Sequence, residues 1–228
     1  MGRSKSPKST ATREHILAVA TKLFQKKGFA KTTMRDIATG AGVALGGAYY
    51  YFPTKEAMVQ ALYDGFSDDL ETAMPEILAH ATLPERLVAF TDKLFALAQP
   101  NREMFAVLAQ TILDPRSPLS PLNAATAKPR DAAIDRFRRM LPDGSDSLPP
   151  AQRTRVPVLL WLWHLAVLAV WVYDESPGQR KSRALRDATA GLAETSLGLL
   201  AFGPVAMQVE PVLAFLDDLV PSSPTKKA

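Results

Sequence analysis

An all-α fold is predicted by three features of this sequence. No stretch alternates apolar and polar residues for long enough to suggest a strand. Apolar residues instead recur every three or four positions along most of the chain. The segments with that period are separated by clusters of Pro, Asp, Gly and Ser, at 114–121 and 141–150. The expected organisation is a basic flexible arm (1–11), a small three-helix unit (12–54), a larger helical domain (55–220) and a disordered tail (221–228).

Composition narrows the classes. The 228 residues are 47% hydrophobic and 22% charged, ordinary for a soluble globular chain. Cysteine is absent, which excludes disulfides, thiol nucleophiles and thiolate metal sites. Gly2 to Arg13 is basic and polar and lacks the apolar centre of a signal peptide, so the expected compartment is the cytoplasm. Charge is unevenly spread. Residues 1–55 hold 10 Lys or Arg against 2 acids, Glu14 and Asp36, a surplus of 8. The remaining 173 residues hold 17 basic and 21 acidic side chains, a deficit of 4. Positive charge gathered at one end suits a surface that neutralises phosphates.

The elements follow in order. Arg3, Lys5 and Lys8 make the arm basic; such arms track a minor groove or a phosphate row, or simply solubilise. A first helix is expected from about Thr12 to Lys27, where Ile16, Ala20, Leu23 and Phe24 share a face and Gly28 stands where a terminating glycine belongs. Thr33 is placed to cap a short helix running from Met34 to Thr39. Gly40-Ala41-Gly42 breaks it, glycine turning the chain at no steric cost. A second short helix, about Ala44 to Tyr51, is stopped by Pro53, which also pushes Phe52 out of helical geometry. The first helix should pack on Ile37, Ala38 and Phe52, in a core small enough to need support from the helix beginning near Thr54. Two short helices around a glycine turn fit a helix-turn-helix, whose second helix lies in the DNA major groove.

Gly42-Val43-Ala44-Leu45-Gly46-Gly47-Ala48-Tyr49-Tyr50-Tyr51-Phe52-Pro53-Thr54-Lys55-Glu56 resembles the recognition segment of TetR-family transcriptional regulators. Gly28-Phe29-Ala30-Lys31-Thr32-Thr33-Met34-Arg35-Asp36-Ile37-Ala38 is similar to the segment leading into it there. The resemblance runs from Arg13 to Met58, and its specificity lies in the combined spacing. It implies an N-terminal three-helix helix-turn-helix DNA-binding domain joined to a larger helical ligand-binding and dimerisation domain. The function implied is a sequence-specific repressor, dimeric on a palindromic operator and released by a small effector.

Further helices are expected near Thr54–Met74, Pro84–Leu97, Arg102–Leu113, Ala124–Met140, Ala151–Asp174, Gln179–Phe202 and Pro211–Leu219. Val156 to Tyr173 contains no Asp, Glu, Lys or Arg and approaches the length of a membrane span. Pro157, His164 and the spread of Trp161, Trp163 and Trp171 along it argue instead for a buried core helix, so no membrane partner is expected. Such a helix is best explained by cover on two sides, one from its own domain and one from a second subunit. Leu185, Ala188, Thr189, Leu192, Ser196, Leu199 and Leu200 make a matching stripe on the next helix, beside the small Ala190, Gly191 and Ala193. The resemblance implies a homodimer through these helices, near 151–174 and 179–202.

For the recognition helix, the resemblance places base contacts at Ala44, Leu45 and Gly47. The family often carries a capping serine and a lysine where this chain has Ala44 and Leu45. None of the three offers bidentate hydrogen bonding to a base, so readout should rest on thymine methyls, DNA shape and Arg35. Three consecutive tyrosines cannot share one helical face, so at least one should turn inward. The expected phosphate contacts are Thr33, Tyr49, Tyr51 and Lys55, with Tyr50 packing partly at the edge of the site.

The size of the second domain argues for an effector, and its apolar supply for a hydrophobic one. Candidate lining residues are Met104, Phe105, Leu108, Trp161, Trp163, His164 and Tyr173, each more readily read as plain core than as a ligand contact. No cofactor, metal or catalytic residue is expected. Gly40-x-Gly42-x-x-x-Gly46 follows a helical pattern where a dinucleotide loop needs a strand. His15, His80 and His164 are dispersed, with no nucleophile or metal-ligand spacing around them. An effector-independent architectural DNA binder is the remaining alternative, and it would not need so large a second domain.

Overall fold

Helix α1 (Pro7–Lys27) buries Ile16, Ala20 and Phe24, spaced by four, along the edge that meets the rest of the N-terminal unit. The computed structural model describes residues 7–106, 114–143 and 148–220. Leu108, Arg3, Lys5 and the expected tail lie outside the described residues. α1 starts at Pro7, not near Thr12, so part of the expected arm is helical. Proline suits a first helical position, where its missing amide hydrogen would have had no partner. Lys26 and Lys27 stand in the last turn, favourable beside a helix C-terminus, and Gly28 leaves it at φ +82.

α2 (Met34–Gly40) and α3 (Leu45–Tyr51) complete the head. Gly42 turns between them at φ +65, and Met34, Ile37, Ala38 and Ala48 join the α1 residues and Phe52 in one core. Thr54 caps α4 (Lys55–Leu78), its hydroxyl accepting from the Ala57 amide at 3.1 Å. α4 continues past the expected end at Met74, with Pro75 inside it. α5 (Leu83–Ala98) opens on a capping box between Thr82 and Glu85.

Residues 102–106 are helical, Ala124–Thr126 form a short 3-10 turn, and α6 (Ala127–Met140) follows. α7 (Pro150–Tyr173) and α8 (Arg180–Ala201) are long. α9 (Gly203–Leu219) then departs from the α8 direction by 110°. It begins well before the expected Pro211, which sits within it. No strand occurs among the described residues.

Two apolar clusters fill the interior. One unites the head with the near end of the body, joining Phe24, Ile37, Phe52 and Met58 to Phe95, Met104, Phe105, Val167 and Trp171. The other fills the far half with Leu83, Leu87, Phe90, Phe137, Met140, Leu160 and Trp161. The N-terminal head therefore shares its core with α5 and the C-terminal end of α7. α7 has a mean hydropathy of 1.9 over its most apolar window and, among the described residues, is the one unbroken helix long and apolar enough to cross a membrane. Val156, Leu160, Trp161, Val167 and Trp171 are buried against protein, which accounts for that composition as a core helix.

Arginines tie the layers together. Arg136 on α6 bonds Glu71 at 3.1 Å and the Ser67 carbonyl at 3.0 Å on α4, and Arg139 adds 2.7 Å bonds to the same Glu71 carboxylate. Arg183 and Arg186 on α8 converge on Asp92 of α5. Arg102 donates to the carbonyl oxygens of Trp171 and Asp174, closing the end of α7.

Candidate nucleic-acid interface

The geometry of the head is set at Thr33. Its hydroxyl accepts from the Asp36 amide at 3.1 Å and donates to the Asp36 carboxylate, which also accepts from the Thr33 amide at 2.9 Å. Lys27 reaches across from α1 to the other carboxylate oxygen at 3.0 Å. The Thr33 amide first, and Lys27 second, pull the Asp36 carboxyl down to about 2. This box fixes the start of α2 against the end of α1. It also occupies both the donor and an acceptor site of the hydroxyl expected to hold a phosphate.

α3 begins without such help, since its N-cap Ala44 has no side-chain acceptor. Ala48 is fully buried and seats the helix on the core, which leaves Ala44, Leu45, Gly46, Tyr49 and Tyr50 facing outward. A Cβ at Gly46 would meet nothing within 4 Å, whereas one at Gly47 would lie 3.9 Å from Val43. The glycine most open on this surface is thus Gly46, and not the expected base-contact position Gly47.

The tyrosines sort differently from expectation. Tyr50, expected to pack at the edge, is 80% exposed. Tyr51, expected to face a phosphate, is the one that turns inward, packed against the head core with its ring edge-on to Tyr50 at 5.1 Å. Tyr49 is half exposed and stands beside Leu45 on the outer face. Arg35 is exposed on α2, and no ion pair holds it among the described residues.

Lys55 is anchored rather than free. Its Nζ donates to the Phe29 carbonyl at 2.7 Å and sits 4.6 Å from the centroid of the Phe29 ring. A second, longer bond to the Ala30 carbonyl at 3.5 Å leaves one N–H donor on the ammonium. Arg13 lies 4.7 Å over the Phe52 ring from the α1 side, so cations clasp the head core at two places.

In the body, the residues expected to line an effector site do not come together. Met104 and Phe105 are buried at the head end, where Phe105 meets Tyr63 and Phe66. Trp161 and His164 lie in the far half, His164 between the rings of Phe90 at 5.3 Å and Phe137 at 5.5 Å. The Trp163 indole is satisfied by Thr189 at 2.8 Å, and Tyr173 is more exposed than buried. His164 differs from the rest. It is buried, its Nδ1 has no hydrogen-bond partner among the described residues, and burial lowers its pKa to about 4. A separate surface cleft of ≈ 830 Å³ at the α7–α8 turn is lined by Ala169, Val170, Tyr173, Glu175, Arg180 and Lys181. Among the described residues no group of three or more His, Asp or Glu is placed to hold a metal ion.

Comparison with known proteins bears on both halves. Residues 16–62 match the family model for bacterial regulatory proteins of the tetR family, and residues 86–209 match the tetracyclin repressor-like C-terminal domain. The HTH-type transcriptional repressor KstR2 of Rhodococcus jostii is 43% identical over 67 residues, 29% of this chain and 33% of that protein. The regulator TtgR of Pseudomonas putida is 32% identical over 117 residues, 51% of this chain and 50% of that protein. The aligned region thus spans between a third and a half of these relatives. Among solved structures, a TetR-family regulator from Syntrophomonas wolfei superposes with a TM-score of 0.65 at 19% identity, covering 81% of this chain and 95% of that one. FadR of Bacillus subtilis, solved with stearoyl-CoA, gives 0.58 at 20% identity over 83% of this chain and 98% of its own.

Proposed function

The chain belongs to the TetR family of bacterial regulatory proteins, and from that premise we propose that it is a DNA-binding transcriptional repressor, acting as a two-fold dimer and released by a hydrophobic effector. The observation that carries this is the outward face of α2 and α3. Arg35, Leu45, Tyr49 and Tyr50 stand exposed on two short helices, the first of them fixed by the Thr33–Asp36 capping box, in the part of the chain with the cationic surplus. Arg35 reads a guanine edge, while Ala44 and Leu45 meet thymine methyls. Tyr49, Tyr50 and Lys55 hold phosphates and set register. Gly46, with open space around it, lets the backbone approach closely. Thr33 and Tyr51 hold the frame.

Dimerisation is supported by the inverted polarity of α8. The helix buries Ser182, Arg186 and Ala190 but exposes Leu185, Ala188, Leu192, Thr195 and Leu199, with Phe202 just beyond its end. Those exposed positions alternate by three and four, the spacing of a seam that packs on another helix. Gly191 and Gly198 beside it are open, which lets a facing helix come close. On α7 the exposed Ala166, Ala169, Val170 and Tyr173 continue this surface at the head end. Both heads must reach one duplex, so the two-fold axis runs from body to head and faces the seams towards each other.

The effector reading rests on His164, a neutral imidazole with an unanswered ring nitrogen in an aromatic niche. An apolar ligand with one hydrogen-bonding group would satisfy it. Such a ligand represses DNA binding only by preferring the body conformation that misaligns the heads. Leu192→Glu tests the dimeric reading: sedimentation equilibrium should show monomers and operator affinity should fall at least tenfold, whereas an intact, fully binding dimer refutes it.

A further inference from the structure

Two buried nitrogens on α7 have nothing to bond. His164 Nδ1 and Trp171 Nε1 lack a hydrogen-bond partner among the described residues, and the two residues are 8% and 0% exposed. Buried polar atoms are nearly always paired, because an unpaired one has given up its bond to water and gained none. Seven residues, two helical turns, separate His164 from Trp171. Both therefore lie on one face of α7, about 10 Å apart along its axis.

That face looks across at α5. Phe90 of α5 meets the His164 ring edge-on at 5.3 Å, and Phe95 lies flat on Trp171 at 4.7 Å. Rings, more than close backbones, span the space between the two helices. A flat molecule entering such a layer exchanges one ring contact for another. The midpoint is also a boundary. Leu94 belongs to the far apolar cluster, Phe95 and Val167 belong to the one shared with the head, and the partly buried Leu168 packs on both. Parting the core there separates two clusters and splits neither.

The chemistry of each end follows from its atom. An indole N–H only donates, so the group beside Trp171 must accept. A neutral imidazole presents either a donor or an acceptor at Nδ1, which suits a hydroxyl or a carbonyl. Neither end answers a charge: Arg102, over the Trp171 ring, is committed to the carbonyl oxygens of Trp171 and Asp174, and burial at His164 disfavours an ion.

We infer that the effector is an uncharged, flat, ring-built molecule with an oxygen at each end, lying along α7 from His164 to Trp171. The inference rests on the effector reading above and adds a second polar end to it. A ligand of this length touches the far cluster and the core shared with the head; a single ring at His164 touches the first alone.

Titration calorimetry on the full chain tests this with 4,4′-dihydroxybiphenyl, whose two oxygens match the spacing of the two nitrogens, and with 4-hydroxybiphenyl, which has one end only. The unsubstituted chain should bind the diol at least tenfold more tightly. Trp171→Phe keeps a stacked ring and removes the N–H. It should bring the diol down to the affinity of the one-ended probe and leave that probe within twofold. His164→Leu should weaken both. If the two probes bind the unsubstituted chain equally, or the diol keeps its advantage in Trp171→Phe, while His164→Leu weakens both, the inference is overturned and the His164 reading stands. If neither probe binds, or His164→Leu changes nothing, both fall. A second measurement serves if Trp171→Phe disturbs folding. The chain has three tryptophans, and their indole N–H resonances are assigned through Trp161→Phe and Trp163→Phe. The Trp171 signal should move downfield with the diol and stay put with 4-hydroxybiphenyl; no movement with the diol overturns the inference.

Discussion

The indole of Trp171 lies flat on the ring of Phe95, with 4.7 Å between centroids and 10° between planes. Both residues are buried in the cluster that also contains Phe52 and Met58, so this stack fastens the C-terminal ends of α5 and α7 to the reading head. Arg102 covers its edge, 5.6 Å from the Trp171 ring, and donates to the Trp171 carbonyl at 3.1 Å. A movement in the body has a direct packing contact through which to reach the DNA-binding helices.

Trp171→Ala should cost about 3–5 kcal/mol in urea unfolding, the range for losing a buried aromatic side chain. Head and body should still unfold together, because the lost side chain belongs to a core they share. The Trp171 Nε1 has no partner among the described residues, so Trp171→Phe keeps the stack and gives up no hydrogen bond. Its cost should stay below about 1.5 kcal/mol. Equal losses for the two variants would contradict the importance of the stack.

His164 makes stability depend on pH in a defined window. The unfolded chain takes up this proton near 6.5, the folded chain only near about 4. Below 6.5 the unfolded state therefore binds more protons, and stability falls as pH is lowered towards 4, by roughly 3 kcal/mol in all. Nothing from this group is lost above 6.5. Urea midpoints of His164→Leu, compared with the unsubstituted chain from pH 7.5 to 4.5, should lack this component; parallel pH profiles would count against a neutral buried imidazole.

At the DNA surface, Arg35 and Tyr49 should separate specificity from grip. Arg35→Ala should lower affinity for the best operator by about 1–3 kcal/mol and flatten discrimination at one guanine. Tyr49→Phe should weaken operator and unrelated duplex by the same factor, since a phosphate contact carries no sequence information. A binding screen over operator variants distinguishes them. Guanine discrimination that survives Arg35→Ala shows that another group reads that base.

α3 carries two adjacent glycines in seven residues, each costing about 1 kcal/mol relative to alanine within a helix. A methyl at Gly47 meets only Val43, at an ordinary 3.9 Å. Gly47→Ala should therefore increase amide-exchange protection across α3 in the free protein and tighten operator binding, because less ordering is left for DNA to induce. Unchanged protection and affinity would show that α3 is already firm.

Much of the head was legible because its signals are local. Thr33 as a cap, the glycine turn and Pro53 as a stop each act within four residues, and the structure has all three. Which tyrosine turns inward was not legible, because Tyr51 is drawn in by the core across the head and not by its neighbours in sequence. Proline misled in both directions: Pro7 opens a helix expected to start later, while Pro75 and Pro211 lie inside helices expected to end or begin there. The effector candidates were chosen by composition, which cannot say that Met104 and His164 sit in different clusters. The pairing of α7 with α9 was hidden for the same reason, since Arg155 lies 55 residues from Glu210 in the chain.

The most direct measurement is selection of bound duplexes from a random pool by the purified chain, followed by titration of the enriched sequence between 50 and 200 mM salt. Two copies should occupy an inverted repeat with half-sites about one helical turn apart, and affinity should drop steeply as salt rises. Enrichment of no sequence, occupancy by a single copy, or an affinity indifferent to salt would contradict a paired, cationic reader of double-stranded DNA.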